Sequence, residues 1–393
     1  MKPEILAPAG NLKKLKLAFY YGADAVYVGG KSFSLRTFAD NFTDEELAEG
    51  IAYAHERGKR VYVAANIFAK NADFAALEKH FKLLAELGAD GVLISDLGVF
   101  RLARRVAPTL PVHISTQANT LNAEAAKLWH ELGATRVVLA REVSIREIAD
   151  IHAAVPELEL EAFVHGAMCI SYSGRCYLSD YFEGRSSNRG ACAQPCRNAW
   201  EIRGKDGAWL SAEEDGKGTY LLNSKDLNMS AHLNALAEAG VCSFKIEGRM
   251  KSEYYLATVT NAYRRLLDGG ASEALFGELN TLTHREYTMA YAFGDNRATI
   301  SSDGSQYVGT CDFIAIVKDC HAGRVEVEMR SRFREGDILE VLAPSEHFGK
   351  TVTVKNMRDS ERNPCADAKL VQAAYTFDCP YQLHDGDILR RRR

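Results

Sequence analysis

Short runs of apolar, mostly β-branched residues recur along this chain, each followed by an amphipathic stretch, and that alternation restricts the possible folds more than any other feature. The runs are Glu4–Ala7, Ala25–Val28, Val61–Ala65, Gly91–Ser95, Val112–Thr116, Arg136–Ala140, Glu161–His165 and Ser243–Glu247. They are nearly continuous in apolar residues rather than alternating, as strands buried on both faces are. Helical periodicity fills the gaps at Asp44–Arg57, Ala75–Leu87, Ala123–Leu132 and Ser252–Leu267, and Gly88, Gly133 and Gly240 stand where helix C-caps belong. Eight strand–helix units in about 265 residues predict an α/β fold, a TIM-type (β/α)8 barrel. A doubly wound open sheet is the competing arrangement, but no Gly-x-Gly-x-x-Gly phosphate loop follows the first strand.

The units are evenly spaced except after the seventh strand, where about Ala167–Lys217 breaks the pattern; loops of that length usually serve function. From about Tyr307 the period shortens, and Val308–Val317, Arg324–Arg330, Asp337–Val341 and Thr351–Val354 read as strands of a small all-β barrel. The expected division is therefore a barrel over 1–268, a connector over 269–305 and a β domain over 306–393. A helix starting near Leu227 is expected after Asn223-Ser224-Lys225-Asp226, with Asp226 as its N-cap or as a catalytic acid. The run Arg390–Arg393 reads as a frayed tail that could touch phosphate.

A net charge of −4 means that any nucleic-acid contact needs a local basic face. Arg185, Arg189, Arg197, Arg203 and Lys205 offer one, opposed by Asp180, Glu183, Glu201 and Asp206. No apolar run is long enough to span a bilayer and no apolar signal core follows Met1, so a cytoplasmic protein is the expectation. Nine cysteines are an odd number and many for a reducing compartment, which points to metal or redox use. Cys169, Cys176, Cys192 and Cys196 crowd into the long loop with spacings C-x6-C, C-x15-C and C-x3-C. These are not the C-x2-C knuckles of zinc ribbons, and four thiolates suit an iron–sulfur cluster as well as zinc. Cys242, Cys311, Cys320, Cys365 and Cys379 read as small buried hydrophobes.

Chemistry in a TIM barrel sits at the C-terminal strand ends. Those ends carry Gln117 after strand five, His165 after strand seven, and Lys245, Glu247, Arg249 and Lys251 after strand eight. Catalytic candidates are Glu247, Arg249, Lys245, Asp226 and His165. Substrate-binding candidates are Gln117, Lys225, Arg249, Lys251 and Arg197, with Arg249 able to grip a carboxylate or phosphate bidentately. The bland reading of Glu247 and Arg249 is a salt-bridged ring at the barrel mouth. Neither a His-Glu-x-x-His helix nor a Gly-x-Ser-x-Gly elbow is present, so a peptidase would have to rest on a pair such as Cys169 with His165. A zinc-stapled RNA-binding scaffold is a third reading.

Several segments together resemble the collagenase-like peptidase family U32. They are Ile5-Leu6-Ala7-Pro8-Ala9-Gly10, His113-Ile114-Ser115-Thr116-Gln117, Glu161–Cys169 with Ser173-Gly174-Arg175-Cys176, Asn188-Arg189-Gly190, Pro195-Cys196-Arg197, Asn223–Leu227 and Lys245-Ile246-Glu247-Gly248-Arg249. The resemblance covers essentially the whole chain and is strongest to the tRNA-hydroxylating branch. It implies a hydroxylase that forms 5-hydroxyuridine at the wobble position, depends on prephenate, and carries a 4Fe-4S cluster on four cysteines. The implied partners are tRNA and a small co-substrate, with no membrane or DNA. Other branches hydroxylate ribosomal RNA or a ubiquinone precursor, and the family name itself implies a peptidase. Many relatives place a cysteine directly after Lys-Asp-Leu, where this chain has Asn228. The expected ligands are thus Cys169, Cys176, Cys192 and Cys196, with Cys242 as the alternative fourth.

Overall fold

The computed structural model describes residues 2–35, 40–198, 205, 214, 215, 218, 219, 224–294 and 309–393. They group into two compact units, Met1–Phe19 with Ala23–Lys251 and His284–Tyr307, and Tyr20–Gly22 with Ser252–Thr283 and Val308–Arg393. Arg203, Asn223, much of the long loop beyond 198 and the end of the expected connector lie outside the described residues.

The first unit alternates β1 (Glu4–Pro8), α1 (Leu12–Tyr20), β2 (Ala25–Gly29), α2 (Asp44–His55), β3 (Arg60–Ala64), α3 (Phe74–Glu86) and β4 (Gly91–Ile94). It continues with α4 (Leu97–Val106), β5 (Val112–Ile114), α5 (Ala123–Glu131), β6 (Arg136–Val138), α6 (Ile145–Ala154) and β7 (Glu159–Ala167). After α7 (Leu178–Glu183) and the short strands β8 (Glu214–Asp215) and β9 (Gly218–Thr219) come β10 (Asp226–Asn228), α8 (Leu233–Glu238), β11 (Val241–Ile246) and, later, β12 (Tyr287–Thr288). Strands β1 to β7 pair in parallel in sequence order, and β11 pairs in parallel with both β1 and β7, which closes an eight-stranded barrel. The expected TIM-type barrel is thus present, each strand within a few residues of its apolar run.

Local chemistry explains the boundaries. Thr43 and Glu46 form a reciprocal capping box at the start of α2, and Ser144 with Glu147 does the same for α6. At the end of α8 the chain turns through Gly240 with φ +98°, where a Cβ would lie 2.2 Å from Cγ of His152. Only glycine fits there.

The expected helix at Leu227 is a correction. Residues Asp226–Asn228 form β10, antiparallel to β7 and parallel to β12, and the helix begins only at Leu233. Asp226 therefore caps nothing. Arg285 holds it instead, Nη2 donating to Oδ1 at 2.6 Å and the backbone N–H to Oδ2 at 3.1 Å.

The barrel interior has two layers. Toward the C-terminal end, Leu6, Tyr27, Leu93 and Val138 pack together with Phe163 against them. Nearer the N-terminal ends the interior is charged. Arg136 donates from Nη1 to Glu4 (2.5 Å) and Glu161 (3.2 Å), and Lys245 Nζ donates to the other oxygen of Glu161 at 2.7 Å. Ser243 and Tyr62 hydroxyls also donate to Glu4, and Arg60 Nη1 lies 3.5 Å from it. Buried charges persist only when paired and hydrogen-bonded in this way.

The second unit contains α9 (Glu253–Leu267), α10 (Ser272–Leu279) and the strands β13 (Cys311–His321), β14 (Arg324–Met329), β15 (Phe333–Arg334), β16 (Ile338–Leu342), β17 (Thr351–Thr353), β18 (Asp367–Ala368), β19 (Ala374–Asp378) and β20 (Ile388–Arg392). Six of these form an antiparallel half-barrel in the order β17-β16-β20-β13-β14-β19, and β15 pairs with β18. Its apolar core includes Cys320 and Cys379, and Cys311 is buried as well, which fits their reading as small hydrophobes. The arginine tail is a correction. Residues Ile388–Arg392 form a central strand, and Arg390 is fully buried between Glu278 of α10 and Glu340 of β16. Among the described residues, no helix is long and apolar enough to cross a membrane.

Candidate functional site

The strand ends and the long loop enclose a cavity of about 1080 Å3, counted out to its open mouth. All four loop cysteines line it, and none is in a disulfide. Local hydrogen bonds explain why so irregular a segment holds them there. Ser173, at φ 42°, donates from N and Oγ to the Glu142 carboxylate at 2.7 and 2.5 Å and accepts from Arg141 N, which ties the first turn to the end of β6. Ser187 Oγ and Asn188 Nδ2 both donate to the Cys176 carbonyl, at 2.6 and 3.0 Å. Ser179 Oγ donates to the Arg185 carbonyl and accepts from Ala193 N. Arg189 pins the loop to the barrel through Asp73 (2.9 and 3.2 Å) and the Phe68 carbonyl (2.8 Å).

Burial pushes the Cys169 thiol up, an effect that Arg141 opposes and that Cys176 and Cys192 add to. Burial pushes Cys196 up to about 11, with the other three thiols contributing. The neighbouring thiols thus disfavour ionisation of Cys169 and Cys196, so thiolates at these two positions call for added positive charge. Among the described residues, no three His, Cys, Asp or Glu side chains converge tightly enough to hold a single ion. Cys242 is elsewhere: its Sγ lies 3.4 Å from the Leu160 carbonyl, beside the charged interior layer, and it does not line the cavity. Asn228 does not line it either, and its Oδ1 accepts from Ser230 N and Oγ.

Of the other expected site residues, Gln117, Lys245, Glu247 and Arg249 meet in this cavity. Gln117 Oε1 accepts from Asn66 Nδ2 at 3.2 Å, and its carbonyl accepts from Arg175 Nε. Lys245 is buried against Glu161, with its ammonium 4.6 Å from the Tyr27 ring centre. Arg249 is buried under Gly29, where a Cβ would stand 2.3 Å from Nη1, and Nη2 donates to Ser34 Oγ at 2.9 Å. Glu247 donates its backbone N–H to the His165 carbonyl at 2.8 Å.

Five other candidates do not line the cavity. The buried His165 ring faces Tyr287 at 5.5 Å, and burial pushes its pKa down to about 3. It therefore does not share the cavity with Cys169 as a nucleophile pair requires. Asp226 is locked to Arg285, and Lys225 pairs with Glu286 at 2.6 Å. Lys251 and Arg197 lie outside the lining. Lys225 and Asp226 belong to a segment that adds as an extra strand alongside β7, outside the eight barrel strands, and His165 is the β7 residue paired with Asn228 of that strand.

Sequence reasoning missed Arg141. It lines the cavity, its guanidinium lies 4.0 Å from the Phe163 ring centre, and it has no carboxylate partner among the described residues. Its place directly after the sixth apolar run was a signal of the kind that flagged Gln117.

A TIM-type barrel with four thiols and three cationic side chains, Arg141, Lys245 and Arg249, around its strand-end cavity has the build of an enzyme active site. Residues 10–302 match the model of peptidase family U32, and residues 309–390 match the model of that family's C-terminal domain. The chain belongs to this family. It is 38% identical to tRNA hydroxylation protein P1 of Bacillus subtilis, across 99% of this chain and 95% of that protein. It is 46% identical to tRNA hydroxylation protein P of Helicobacter pylori (strain J99), across 73% and 71%. It is 32% identical to a 23S rRNA 5-hydroxycytidine synthase of Escherichia coli, across 88% of this chain and 53% of the relative.

Proposed function

We propose that this chain is an iron–sulfur-dependent RNA hydroxylase that acts on tRNA, forming 5-hydroxyuridine at the wobble position with prephenate as co-substrate. The observation that carries the reading is the gathering of four free thiols onto one strand-end cavity beside a cation, Arg141, that has no carboxylate partner among the described residues. The names of the most similar relatives support the RNA substrate and the hydroxylation.

The donor set fits a cluster better than a single ion. Tetrahedral zinc, with Zn–S about 2.3 Å, needs its sulfurs about 3.8 Å apart. Thiols spread around a cavity suit separate irons, each taking one thiolate. Cys169, Cys176, Cys192 and Cys196 would hold the group, which when bound supplies one-electron and oxygen chemistry and the positive charge that ionises the thiols. Arg141 is placed to take a carboxylate of the co-substrate, with Phe163 limiting its motion. Asn66 and Gln117 present amide groups suited to the edge of a base rotated out of its stack. The floor is the buried ion pair of Lys245 with Glu161, which keeps a polar but balanced base under the cavity.

The test is iron, sulfide and absorption on anaerobically purified protein, followed by mass spectrometry of tRNA nucleosides from cells lacking and regaining the protein. Four irons and four sulfides per chain, lost in Cys169→Ala, together with 5-hydroxyuridine that returns only with the intact protein, is the expected result. Zinc in place of iron, or unchanged tRNA nucleosides, would overturn the proposal.

A further inference from the structure

We infer that the aromatic rim of the cysteine-rich loop is a stacking platform for unpaired RNA nucleotides flanking the one that enters the cavity; this rests on the RNA-substrate reading above. Five aromatic side chains are exposed among the described residues, and four of them, Tyr172, Tyr177, Tyr181 and Phe182, fall within one short segment. Tyr177 and Tyr181 are 68% and 70% exposed. Such clustering at a surface marks an interaction site, because each exposed ring forgoes burial that a partner could restore.

The segment alternates between two faces. Ser173, Gly174, Cys176 and Leu178 line the cavity, while Tyr172 just before them and Tyr177 among them are exposed. The rings thus stand on the same turns that carry the thiols. Tyr177 and Tyr181 are one helical turn apart with ring centres 6.2 Å apart, and Tyr181 meets Phe182 edge-on at 5.0 Å. The hydrogen bonds from Ser187 and Asn188 to the Cys176 carbonyl hold this stretch in place, so the platform is ordered in advance.

Charge selects the occupant. Between residues 172 and 197 stand four arginines, Arg175, Arg185, Arg189 and Arg197, against two acidic residues, Asp180 and Glu183, on a chain whose net charge is −4. Arg189 is met by Asp73, which leaves the segment with a small positive excess. An exposed aromatic surface on a locally basic segment beside the cavity suits a polyanion with unpaired bases, which is how proteins take single-stranded RNA loops. A second copy of this chain or an apolar peptide would gain the rings but not the charge.

The experiment measures binding of a uridine-containing RNA stem–loop to the full-length protein, purified anaerobically, by fluorescence anisotropy. Tyr177→Ala, Tyr181→Ala, the double variant and the matching Phe variants are compared, with iron and sulfide content as a check that the loop is intact. Stacking of one base on an aromatic side chain is worth about 1–3 kcal/mol by alanine substitution, so each Ala variant should weaken binding about 5- to 150-fold. The Phe variants should bind close to wild type, because they keep the ring. Wild-type binding that the Ala variants match would overturn the platform and leave the RNA reading standing. Equal losses in Phe and Ala variants would overturn stacking in favour of the phenol hydroxyls. A change in oligomeric state with unaltered RNA affinity would make this face a protein contact and overturn the inference. If wild-type protein binds no RNA at all, the underlying reading fails first.

Discussion

Replacing Arg136 with methionine removes the central cation of the barrel interior. The side chain is 2% exposed and is shared by three carboxylates: Glu4 at 2.5 Å, Glu159 at 2.6 Å and Glu161 at 3.2 Å. Glu161 is fully buried and Glu4 nearly so. In the variant Lys245 still holds one oxygen of Glu161, and Ser243, Tyr62 and the half-exposed Arg60 at 3.5 Å still reach Glu4, but the buried Glu4 and Glu161 are left with Lys245 as their one buried cation among the described residues. Breaking a buried pair by removing one partner costs about 3–5 kcal/mol. At about 2–4 °C per kcal/mol for a domain of this size class, the melting transition should fall by roughly 6–20 °C. Thermal unfolding followed by circular dichroism reads this. A methionine of similar volume keeps the packing, so lost packing does not explain a large shift. Adding Glu4→Gln to Arg136→Met should recover part of the loss, because the two changes act on one pair and leave Lys245 on Glu161. A single variant within about 1 kcal/mol of wild type would refute the argument that Arg136 neutralises this layer.

Three further outcomes follow from the same geometry. Cys196→Ser should lower iron bound after anaerobic purification, whereas Cys242→Ser, whose sulfur lies away from the cavity against the Leu160 carbonyl, should leave it unchanged; metal analysis separates the two. Arg141→Met should leave iron content intact and raise the co-substrate concentration needed for half-maximal tRNA hydroxylation, by roughly 10-fold or more if one charge-assisted hydrogen bond worth about 1.5–3 kcal/mol is lost. His165 has its pKa depressed to about 3 by burial, from 6.5. The unfolded chain therefore takes up a proton that the folded state refuses as pH falls through 6.5, and stability drops by about 2 kcal/mol at pH 5. Unfolding of His165→Gln at pH 5 and pH 8 should show a correspondingly flatter dependence.

The barrel was legible because its signal is local and repeated. Each parallel strand is buried on both faces and so is written as an uninterrupted apolar run, as in Ala25–Gly29, where every residue is buried. The thiol cluster was legible because its four members lie close in sequence and on the face where barrels carry chemistry. Lys225 and Asp226 misled for the opposite reason. Three residues of strand carry little periodicity, and β10 is specified by its partners, β7 and β12, the latter about sixty residues further along. A polar Asx-like residue before an apolar stretch then imitates a helix cap.

Charged residues inside the fold are the general case of that failure. Arg390 in a run of arginines reads as solvent-facing, because a lone buried guanidinium is unaffordable and nothing nearby in sequence neutralises it. Its carboxylates come from Glu278 and Glu340, brought in by α10 and β16. Arg136 likewise stands at the head of an apolar run, with one partner, Glu4, at the other end of the barrel sequence. Arg141 inverts the pattern: five residues on, at the other end of the same strand–loop segment, the described residues supply an aromatic ring and no carboxylate. Two arginines in one short stretch are thus indistinguishable by composition, and it is the pairing supplied by distant chain that makes one a structural cation and leaves the other available to a ligand.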